Sequence, residues 1–425
     1  MTVARIRPAT VDGTVDAPPS KSYTHRFVLA AHLSGRPGHV RRPLVSDDTL
    51  RTARAVRQLG SRVTLGRSAW TVRPGGGATG RRTRVIDCGE SGTTLRLLSA
   101  AAALRDQPYR FVGRGRLPRR PIAPLLKVLR RLGATIVPAP PGDGLPLELR
   151  GPIHGGTVEV PADESSQFTS ALLFALPTVE PGSRLRTVGT PVSEPYVRAS
   201  VAVLRAQGVT VAPVRHGYAI PGGQRFRPVD ATVPGDASSA AYLWAAAAVS
   251  GGRTSVRGVP TTWPQADLAV LDLLRRYGAA VSRSGATTTV RGERRRPFRV
   301  RLTDAPDLYP LAGVLAATAH GRSYLLGAEH VVAKESDRKL GTARLVRAMG
   351  ARVTEVNGGL AVDGVSRPRP VRLRGAHDHR IVMSAAVAAA ASDRPSELAD
   401  AAAVAKSFPR FFDVLGRLGL EVTVR

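Results

Sequence analysis

Residues 50–64 read LRTARAVRQLGSRVT, an amphipathic helical pattern that stops at Gly60 and runs into a short β-strand pattern. Glycine readily adopts the left-handed conformation that ends many helices, and the Val and Thr that follow favour a strand. The same pattern returns five more times, at intervals of 73, 75, 70, 72 and 69 residues, and stops at Gly133, Gly208, Gly278, Gly350 and Gly419. The sequence therefore predicts six α/β units, each too long for a solenoid repeat.

The length of 425 residues fits two domains of three units each, which is the simplest division of the chain. The longest apolar runs, at 240–249 and 385–391, are too short to span a bilayer and are predicted to be buried helices. No charged and apolar leader opens the sequence, so we expect a cytoplasmic protein. Cys88 is the single cysteine, which excludes an internal disulfide and a cysteine-based metal cluster.

The formal net charge of +30 raises the possibility of nucleic-acid binding, because clustered cations bind phosphate backbones. The basic residues are spread along the chain, however, and no nucleic-acid-binding motif is present, so we do not expect such a partner. Lysine is rare: only Lys21, Lys127, Lys334, Lys339 and Lys406 occur among 62 basic residues. Where lysine survives among arginines, we expect a requirement for a compact ammonium group or for one able to lose its proton.

Three loops combine hydroxyl groups with the start of an apolar helix, where backbone N–H groups can bind anions. They are residues 17–26 (APPSKSYTHR), 89–96 (GESGTTLR) and 163–168 (DESSQF). For the first loop, the alternative is that Ser20 or Ser22 is an ordinary helix cap and that Arg26 lies in a solvated face. Three such loops in one chain favour a ligand with several phosphate or carboxylate groups.

Carboxylates and cations alternate in residues 304–307 (DAPD), 332–338 (VAKESDR) and 378–380 (DHR), and Lys406 lies in 405–409 (AKSFP). A carboxylate among cations stays ionised and can act as a base, whereas one in a drier place can deliver a proton. The alternative is an ion-pair network that holds loops. The sequence contains no metal-site spacing, no GxxxxGK[ST] phosphate loop and no dinucleotide fingerprint.

These motifs, in this order, resemble the 3-phosphoshikimate 1-carboxyvinyltransferases, also called EPSP synthases. The resemblance extends over essentially the whole chain and includes PSKSYTHR, GESGTTLR, LPRRPI, ESSQF, SEPY, PGDASSAAY, DAPD, VAKESDR, DHR and AKSFP. It implies an inside-out α/β barrel fold of two domains, each with three βαβαββ units in threefold pseudosymmetry. Residues 1–19 and 234–425 would form one domain and residues 20–233 the other, with the active site in the cleft between them.

The resemblance implies transfer of the enolpyruvyl group of phosphoenolpyruvate to the 5-hydroxyl of shikimate 3-phosphate. Asp307 would act as base, Glu335 would exchange the C3 proton and Lys21 would assist. By the same resemblance, the residues expected to bind shikimate 3-phosphate are Lys21, Ser22, Arg26, Ser165, Ser166, Gln167, Ser193, Tyr196, Asp307 and Lys334. Those expected to bind phosphoenolpyruvate are Lys21, Gly92, Arg120, Gln167, Arg338, Arg380 and Lys406. The reaction calls for no metal and no organic cofactor, and we expect a monomer.

Four positions depart from the pattern common in this family, at Glu90, Leu97, His330 and Glu194. They concern the fine geometry of the substrate site and the sensitivity to the inhibitor glyphosate.

Two alternatives use the same kind of architecture. A UDP-N-acetylglucosamine enolpyruvyl transferase typically has a cysteine in the loop that here is residues 113–120, which lacks one. An RNA 3′-phosphate cyclase would lack the PSKS and VAKESDR motifs. The third alternative is a non-catalytic nucleic-acid-binding protein, which would need none of the carboxylates.

Overall fold

The computed structural model describes residues 2–75, 82–138 and 144–425, which form an α/β protein. The helices of these residues, numbered in chain order, are α1 (Lys21–Leu33), α2 (Asp47–Gln58), α3 (Gly92–Ala102), α4 (Ala123–Arg131), α5 (Ser166–Ala175), α6 (Glu194–Ala206), α7 (Ala237–Ser250), α8 (Val270–Tyr277), α9 (Tyr309–Thr318), α10 (Arg338–Ala348), α11 (His379–Ala390) and α12 (Phe411–Arg417).

The strands of the described residues are short. In chain order they are β1 (Val3–Arg7), β2 (Asp12–Asp16), β3 (Gly38–Arg41), β4 (Ser61–Leu65), β5 (Ala69–Pro74), β6 (Arg84–Asp87), β7 (Tyr109–Val112), β8 (Thr135–Pro138), β9 (Leu147–Arg150), β10 (Thr157–Pro161), β11 (Ser183–Val188), β12 (Ala212–Val214), β13 (Gly217–Ile220), β14 (Asp230–Thr232), β15 (Arg253–Arg257), β16 (Ala280–Ser284), β17 (Thr287–Arg291), β18 (Arg299–Arg301), β19 (Arg322–Leu326), β20 (Arg352–Val356), β21 (Gly359–Asp363), β22 (Arg372–Leu373), β23 (Ser396–Ala399) and β24 (Glu421–Val424).

The chain divides into two compact units, Met1–Pro18 with Pro234–Arg425, and Pro19–Val233. The first, which we call the terminal unit, contains the sheets β22-β23-β1-β24, β16-β17-β15-β2 and β18-β19-β21-β20. The second, the central unit, contains β10-β11-β13-β12, β14-β3-β5-β4 and β6-β7-β9-β8. Within the described residues, each unit therefore contains three four-stranded sheets.

All six sheets share one arrangement of strands. One edge strand pairs in parallel with its neighbour, and the other two pairings are antiparallel, as in β6, β7, β9 and β8. In three of the sheets, β6-β7-β9-β8, β10-β11-β13-β12 and β18-β19-β21-β20, the chain runs as strand, helix, parallel strand, helix and antiparallel hairpin, or βαβαββ. Each of the other three sheets has the same arrangement but takes one strand, β14, β2 or β1, from a distant part of the chain. The predicted fold class is confirmed: the α/β units repeat three times in each part of the molecule.

The even-numbered helices are the amphipathic ones found in the sequence. Each is followed within two residues by one of the six predicted glycines. All six glycines have positive φ, at 103°, 109°, 74°, 103°, 90° and 99° in chain order. A side chain is strained in this conformation, so the residue type fixes where each helix stops.

After Gly208 the prediction of an immediate strand is wrong by three residues, because β12 begins only at Ala212. The backbone of Thr210 forms hydrogen bonds with a side chain and not with a neighbouring strand. Its N–H donates to Gln224 Oε1 at 2.7 Å, and its carbonyl accepts from Gln224 Nε2 at 2.9 Å. Local hydrogen bonds thus compete with sheet pairing at this position.

The odd-numbered helices are buried on nearly all sides. Every residue of α9 and of α11 is buried, and so are most residues of α1, α3, α5 and α7. The predicted buried helices at 240–249 and 385–391 correspond to α7 and α11. The motifs at residues 17–26, 89–96, 163–168, 304–307 and 378–380 lie at or just before the N-termini of odd-numbered helices, so the fold gives them free backbone N–H groups.

Two features are absent from the described residues, 2–75, 82–138 and 144–425. None of their helices is long and apolar enough to cross a membrane. No three His, Cys, Asp or Glu side chains there are grouped so that they could hold a metal ion.

Candidate active site

Asp307 is the central carboxylate of the terminal unit. It lies in the short 3-10 turn Pro306–Leu308, immediately before helix α9. Its Oδ1 accepts a hydrogen bond of 2.6 Å from Arg338 Nη1, and its Oδ2 accepts one of 2.9 Å from Arg380 Nη2. The predicted base therefore lies between two arginines that were predicted to bind phosphoenolpyruvate.

Arg338 joins three carboxylates although its side chain is only 1% exposed. Besides Asp307, its Nη2 donates to Glu335 Oε2 at 2.8 Å, and its Nε donates to Asp378 Oδ2 at 3.0 Å. Asp378 also caps helix α11 by accepting from the backbone N–H of Arg380 at 2.8 Å. A buried guanidinium needs such partners, since an unpaired charge in this environment would be costly.

Arg380 is held from the side of helix α7. Its guanidinium carbon lies 5.9 Å from the ring centre of Tyr242, and its Nη1 donates to the carbonyl of Ser238 at 3.4 Å. The Ser238 hydroxyl donates in turn to Asp267, a fully buried carboxylate. Burial and the nearby Asp307 charge raise the pKa of Asp267 to about 6.

The charges around Asp307 determine its protonation. Burial by itself raises the pKa of this carboxyl, but the charges of Arg380, Arg338 and Lys334 outweigh burial and hold the pKa well below its usual range. Asp307 is consequently ionised at neutral pH and has the form required of a base. The carboxylates of these motifs form the ion-pair network of the alternative interpretation. The role of Asp307 as a base stays a prediction, for which it has the required ionised form.

In the central unit, Gly92 begins helix α3 and Ser91 caps it. A Cβ atom on Gly92 would lie 2.8 Å from Arg96 Nη1 and 2.9 Å from Arg120 Cζ and Nη1. Two guanidinium groups thus pack against the bare backbone at a helix N-terminus. Such an arrangement favours an anion, because N–H groups, the helix dipole and side-chain cations all act in the same direction.

Arg96 is buried and connects this loop to helix α5. Its Nη1 donates to Gln167 Oε1 at 2.8 Å, and its Nε donates to the carbonyl of Pro121 at 3.0 Å. Gln167 Nε2 donates to Thr93 Oγ1 at 3.1 Å. The predicted residues Gly92, Arg120 and Gln167 are therefore close together around Arg96.

Lys21 is the first residue of helix α1, and Ser20 is its N-cap. The Lys21 Nζ donates to Asp48 Oδ2 at 3.0 Å, and both side chains are mostly buried, with 17% and 10% of their surface exposed. Asp48 lies in the first turn of helix α2. One of the five lysines is thus held in place by a carboxylate.

Arg26 is only 3% exposed, so the alternative that it lies in a solvated face is wrong. Its Nε donates to Ser200 Oγ at 2.9 Å, its Nη1 to Ser22 Oγ at 2.7 Å and its Nη2 to the Tyr196 carbonyl at 2.9 Å. Burial lowers the pKa of Arg26 to about 10. This guanidinium brings together Ser22 and Tyr196, both predicted to bind shikimate 3-phosphate.

The other predicted residues also lie at the ends of elements. Ser165 caps helix α5 and Ser166 begins it, while Ser193 stands before α6 with φ of 57°. In the terminal unit, Lys334 follows the 3-10 turn Glu329–Ala333, and Lys406 ends the 3-10 turn Ala401–Lys406.

The four departures from the family pattern lie in or beside these motifs. Leu97 is buried in α3, and Glu194 begins α6. The Glu90 carboxylate lies against Gly115, where an added Cβ would be 2.8 Å from it. Burial and the Lys334 charge lower the pKa of His330 to about 4, so this histidine is neutral at pH 7.

Sequence reasoning assigned no role to Asp48, Arg96, Asp378 and Asp267. Asp378 and Arg96 stand inside motifs that were recognised, and their position beside predicted residues was the available signal. Asp48 follows Ser46 in the first turn of a helix, where an acidic residue is ordinarily explained by capping. Asp267 carries no local signal, because its role depends on Ser238, which is 29 positions away.

Comparison with known proteins gives one consistent family. Residues 6–415 match the family model of EPSP synthase (3-phosphoshikimate 1-carboxyvinyltransferase). A 3-phosphoshikimate 1-carboxyvinyltransferase of Methanocorpusculum labreanum is 38% identical over 418 residues, with 97% of each chain covered. One from Halobacterium salinarum is 41% identical over 427 residues, covering 98% of this chain and 99% of the relative.

Solved structures show the same fold. EPSP synthase from Acinetobacter baumannii superimposes with a TM-score of 0.84 at 24% identity, over 100% of both chains. The enolpyruvyl transferase NikO from Streptomyces tendae superimposes with a TM-score of 0.81 at 19% identity, over 100% of this chain and 99% of the other. At these identities the structural likeness concerns the fold alone.

Proposed function

Because the chain belongs to the EPSP synthase (3-phosphoshikimate 1-carboxyvinyltransferase) family, we propose that it transfers the enolpyruvyl group of phosphoenolpyruvate to the 5-hydroxyl of shikimate 3-phosphate. The products are 5-enolpyruvylshikimate 3-phosphate and inorganic phosphate. The pathway is that of chorismate and the aromatic amino acids. The curated relatives carry the name of this enzyme over the full length of the chain, which supports the assignment.

The observation that carries the proposal is that Asp307 and Glu335 are two of the three carboxylates that contact Arg338. Addition forms a bond between the 5-hydroxyl oxygen and C2 of phosphoenolpyruvate, while the hydroxyl loses a proton and C3 gains one. Elimination then removes a proton from C3 and breaks the C2–O bond to phosphate. Two proton-transfer groups are needed, and Asp307 and Glu335 both contact Arg338. We assign the 5-hydroxyl proton to Asp307 and the C3 proton to Glu335, with Lys21 assisting.

The strength of Asp307 as a base would depend on substrate. A carboxylate that accepts from two guanidinium groups binds protons weakly. Phosphoenolpyruvate carries a carboxylate and a phosphate, and either can accept paired hydrogen bonds from arginine. In competing with Asp307 for Arg338 and Arg380, this substrate would raise the pKa of Asp307 towards its usual value. Substrate binding would then prepare the base for the attack.

The remaining predicted residues have charges that suit two anionic substrates. We propose that phosphoenolpyruvate binds Lys21, Gly92, Arg120, Gln167, Arg338, Arg380 and Lys406. We propose that shikimate 3-phosphate binds Lys21, Ser22, Arg26, Ser165, Ser166, Gln167, Ser193, Tyr196, Asp307 and Lys334. Both sets draw on the central and the terminal unit, so the proposal requires that the two units act on one pair of substrates as two domains with a cleft between them. A monomer located in the cytoplasm remains our prediction.

Phosphate release tests the function directly. Purified protein is incubated with phosphoenolpyruvate alone, with added shikimate 3-phosphate, and with UDP-N-acetylglucosamine as the competing acceptor. We expect release only with shikimate 3-phosphate, together with a product whose mass corresponds to the enolpyruvyl ether. Release with the nucleotide sugar alone would overturn the assignment in favour of the other transferase. Filter binding to random RNA is expected to show no saturable site.

A further inference from the structure

A row of buried hydroxyl groups crosses the central unit behind Gly92. His25 Nδ1 lies 2.6 Å from Thr52 Oγ1, and Thr52 Oγ1 lies 2.7 Å from Thr94 Oγ1. Thr94 Oγ1 in turn donates to Ser91 Oγ at 2.8 Å. All four side chains are at most 1% exposed. Helices α1, α2 and α3 each contribute one member, and Ser91 is the N-cap of α3.

The row ends at the point where helix α3 begins. Ser91 Oγ also accepts from the backbone N–H of Thr94 at 3.2 Å, which fixes the first turn of the helix. Thr94 Oγ1 additionally lies 3.4 Å from the carbonyl of Asp48, whose side chain accepts from Lys21. The N-terminal ends of the three helices are thus tied together by side chains that water cannot reach.

The protonation of His25 gives the row a direction. Burial, together with the charges of Lys21 and Arg26, lowers the pKa of His25 well below its usual value, so the ring is neutral. Within the described residues, His25 Nε2 has no hydrogen-bond partner. A proton on Nε2 would be a buried and unsatisfied donor, whereas a proton on Nδ1 can be donated to Thr52. The favoured order of donation is therefore His25 to Thr52, Thr52 to Thr94, and Thr94 to Ser91.

We propose that His25, Thr52, Thr94 and Ser91 are positioning residues that fix the backbone at Gly92 for phosphoenolpyruvate. The two guanidinium groups lie close against the backbone of Gly92, since an added Cβ would be within 2.9 Å of both. A small displacement of the first turn of α3 would change the hydrogen-bond geometry between an anion and the N–H groups of that turn and Arg120. This inference rests on the proposed function, because it identifies the anion as phosphoenolpyruvate.

The test replaces Thr94 by Val, which keeps the shape of the side chain and removes the hydroxyl. We expect the KM for phosphoenolpyruvate to rise about tenfold, equivalent to about 1.4 kcal/mol. We expect kcat and the Kd for shikimate 3-phosphate to stay within about twofold of wild type, because the residues assigned to proton transfer and to shikimate 3-phosphate are not members of this row. Thr94→Ser restores the hydroxyl and should recover most of the loss. Thr52→Val interrupts the row at its middle and should also raise the KM for phosphoenolpyruvate. This second variant provides the test if Thr94→Val folds poorly.

Thr254→Val is the matched control. Thr254 is a fully buried threonine in β15 whose hydroxyl has no hydrogen-bond partner within the described residues. Unchanged KM for phosphoenolpyruvate in both Thr94→Val and Thr52→Val, or equal loss in Thr94→Ser and Thr94→Val, would overturn the proposal. So would a parallel rise in the KM of both substrates, which would indicate a general loss of structure.

Calorimetry with phosphoenolpyruvate separates this inference from the function itself. Binding needs no turnover, so weaker binding to Thr94→Val than to wild type supports the positioning role whatever the wild-type rate is. Wild-type protein that binds phosphoenolpyruvate and releases no phosphate would contradict the proposed function and leave the positioning result standing. Equal binding of wild type and Thr94→Val would overturn the positioning role alone.

Discussion

Asp307 and Arg380 form an ion pair of 2.9 Å although 73 positions separate them in the sequence. The arginine lies in the first turn of helix α11 and the aspartate precedes helix α9, so the packing of two buried helices brings the charges together. One residue is assigned to bind an anionic substrate and the other to remove a proton. Their contact means that the two roles cannot be changed independently, and the predictions below depend on this coupling.

Glu335→Gln should lower turnover by roughly two to four orders of magnitude, the usual size of a general acid–base contribution. The amide keeps the shape and can still accept from Arg338, but it cannot exchange the C3 proton. Binding of shikimate 3-phosphate, measured by calorimetry, should hardly change. Glu355→Gln is the control, because Glu355 is an exposed carboxylate paired with Lys339 at 2.7 Å. A Glu335→Gln enzyme with wild-type turnover would refute the assigned role.

Asp307→Asn should also abolish most turnover, but with a different binding signature. The change removes the base and leaves both Arg338 and Arg380 without their shared carboxylate. Shikimate 3-phosphate should bind more weakly than it does to Glu335→Gln, because Asp307 is assigned to the 5-hydroxyl. Single-turnover rates and calorimetry on both variants provide the comparison, and Asp272→Asn, at an exposed pair with Arg275, serves as reference. Tighter shikimate 3-phosphate binding by Asp307→Asn than by Glu335→Gln would count against the assignment.

Gly92→Ala should raise the KM for phosphoenolpyruvate more than tenfold, with a smaller effect on shikimate 3-phosphate. The added methyl group would lie 2.8 to 2.9 Å from Arg96 and Arg120, so these guanidinium groups must move. Arginine side chains can shift, so we expect a folded enzyme with a displaced anion site. Gly416→Ala, in helix α12 with nothing within 4 Å, should leave both KM values unchanged. Equal KM values for Gly92→Ala and wild type would show that the loop tolerates a side chain.

Lys21→Arg should lose activity, whereas Lys127→Arg should be nearly silent. The larger planar guanidinium would occupy the space assigned to the substrate phosphate beside the contact with Asp48, and it cannot lose a proton near neutral pH. Lys127 is an exposed residue of helix α4, so Lys127→Arg measures the effect of a lysine-to-arginine change outside the proposed site. Steady-state turnover of the two variants decides the matter. Similar rates would mean that activity does not require lysine, as opposed to arginine, at position 21.

Asp267→Asn should change how stability depends on pH. The native pKa of Asp267 is about 6, above the value of 3.8 expected in the unfolded chain. Its contribution to stability is therefore fully present below pH 3.8 and is lost as pH rises through 6. Relative to wild type, the asparagine variant should become more stable between pH 4 and pH 7. The upper limit is about 3 kcal/mol, since one pKa unit corresponds to about 1.4 kcal/mol.

Urea unfolding at several pH values measures this difference. The groups that act on Asp267 are Asp307, Arg380, Ser238 and Asp236. If the stability curves of wild type and variant are parallel across this range, the pKa of Asp267 is the same in the folded and unfolded states, and the prediction is wrong.

The fold was predictable because its signal is local and repeated. A helix pattern, a glycine and a strand pattern occupy consecutive residues, so the six units can be counted without knowledge of tertiary structure. The exception after Gly208 has a tertiary cause, because Gln224 binds both backbone groups of Thr210 and delays the strand. The completion of sheets by distant strands is likewise invisible locally, as β1 pairs with both β23 and β24.

The site was predictable to the extent that its residues lie within contiguous motifs. Asp307, Glu335 and Arg338 carry that local signal and come together as an ion-pair network. The residues that hold them do not, since Asp48 reaches Lys21 across 27 positions and Thr52 reaches Thr94 across 42. Such partners are ordinary helix residues in sequence, and only the packing of α1, α2 and α3 makes them neighbours.

The pairing of the first strands with the last ones sets an order for folding during synthesis. Every sheet of the central unit is made from residues between Pro19 and Val233, so this unit can be completed while the ribosome is still translating the rest. Strands β1 and β2 emerge before all of it, yet β2 must wait for β15 and β1 for β23 and β24. We therefore expect the nascent chain to carry these two strands unpaired for most of its elongation.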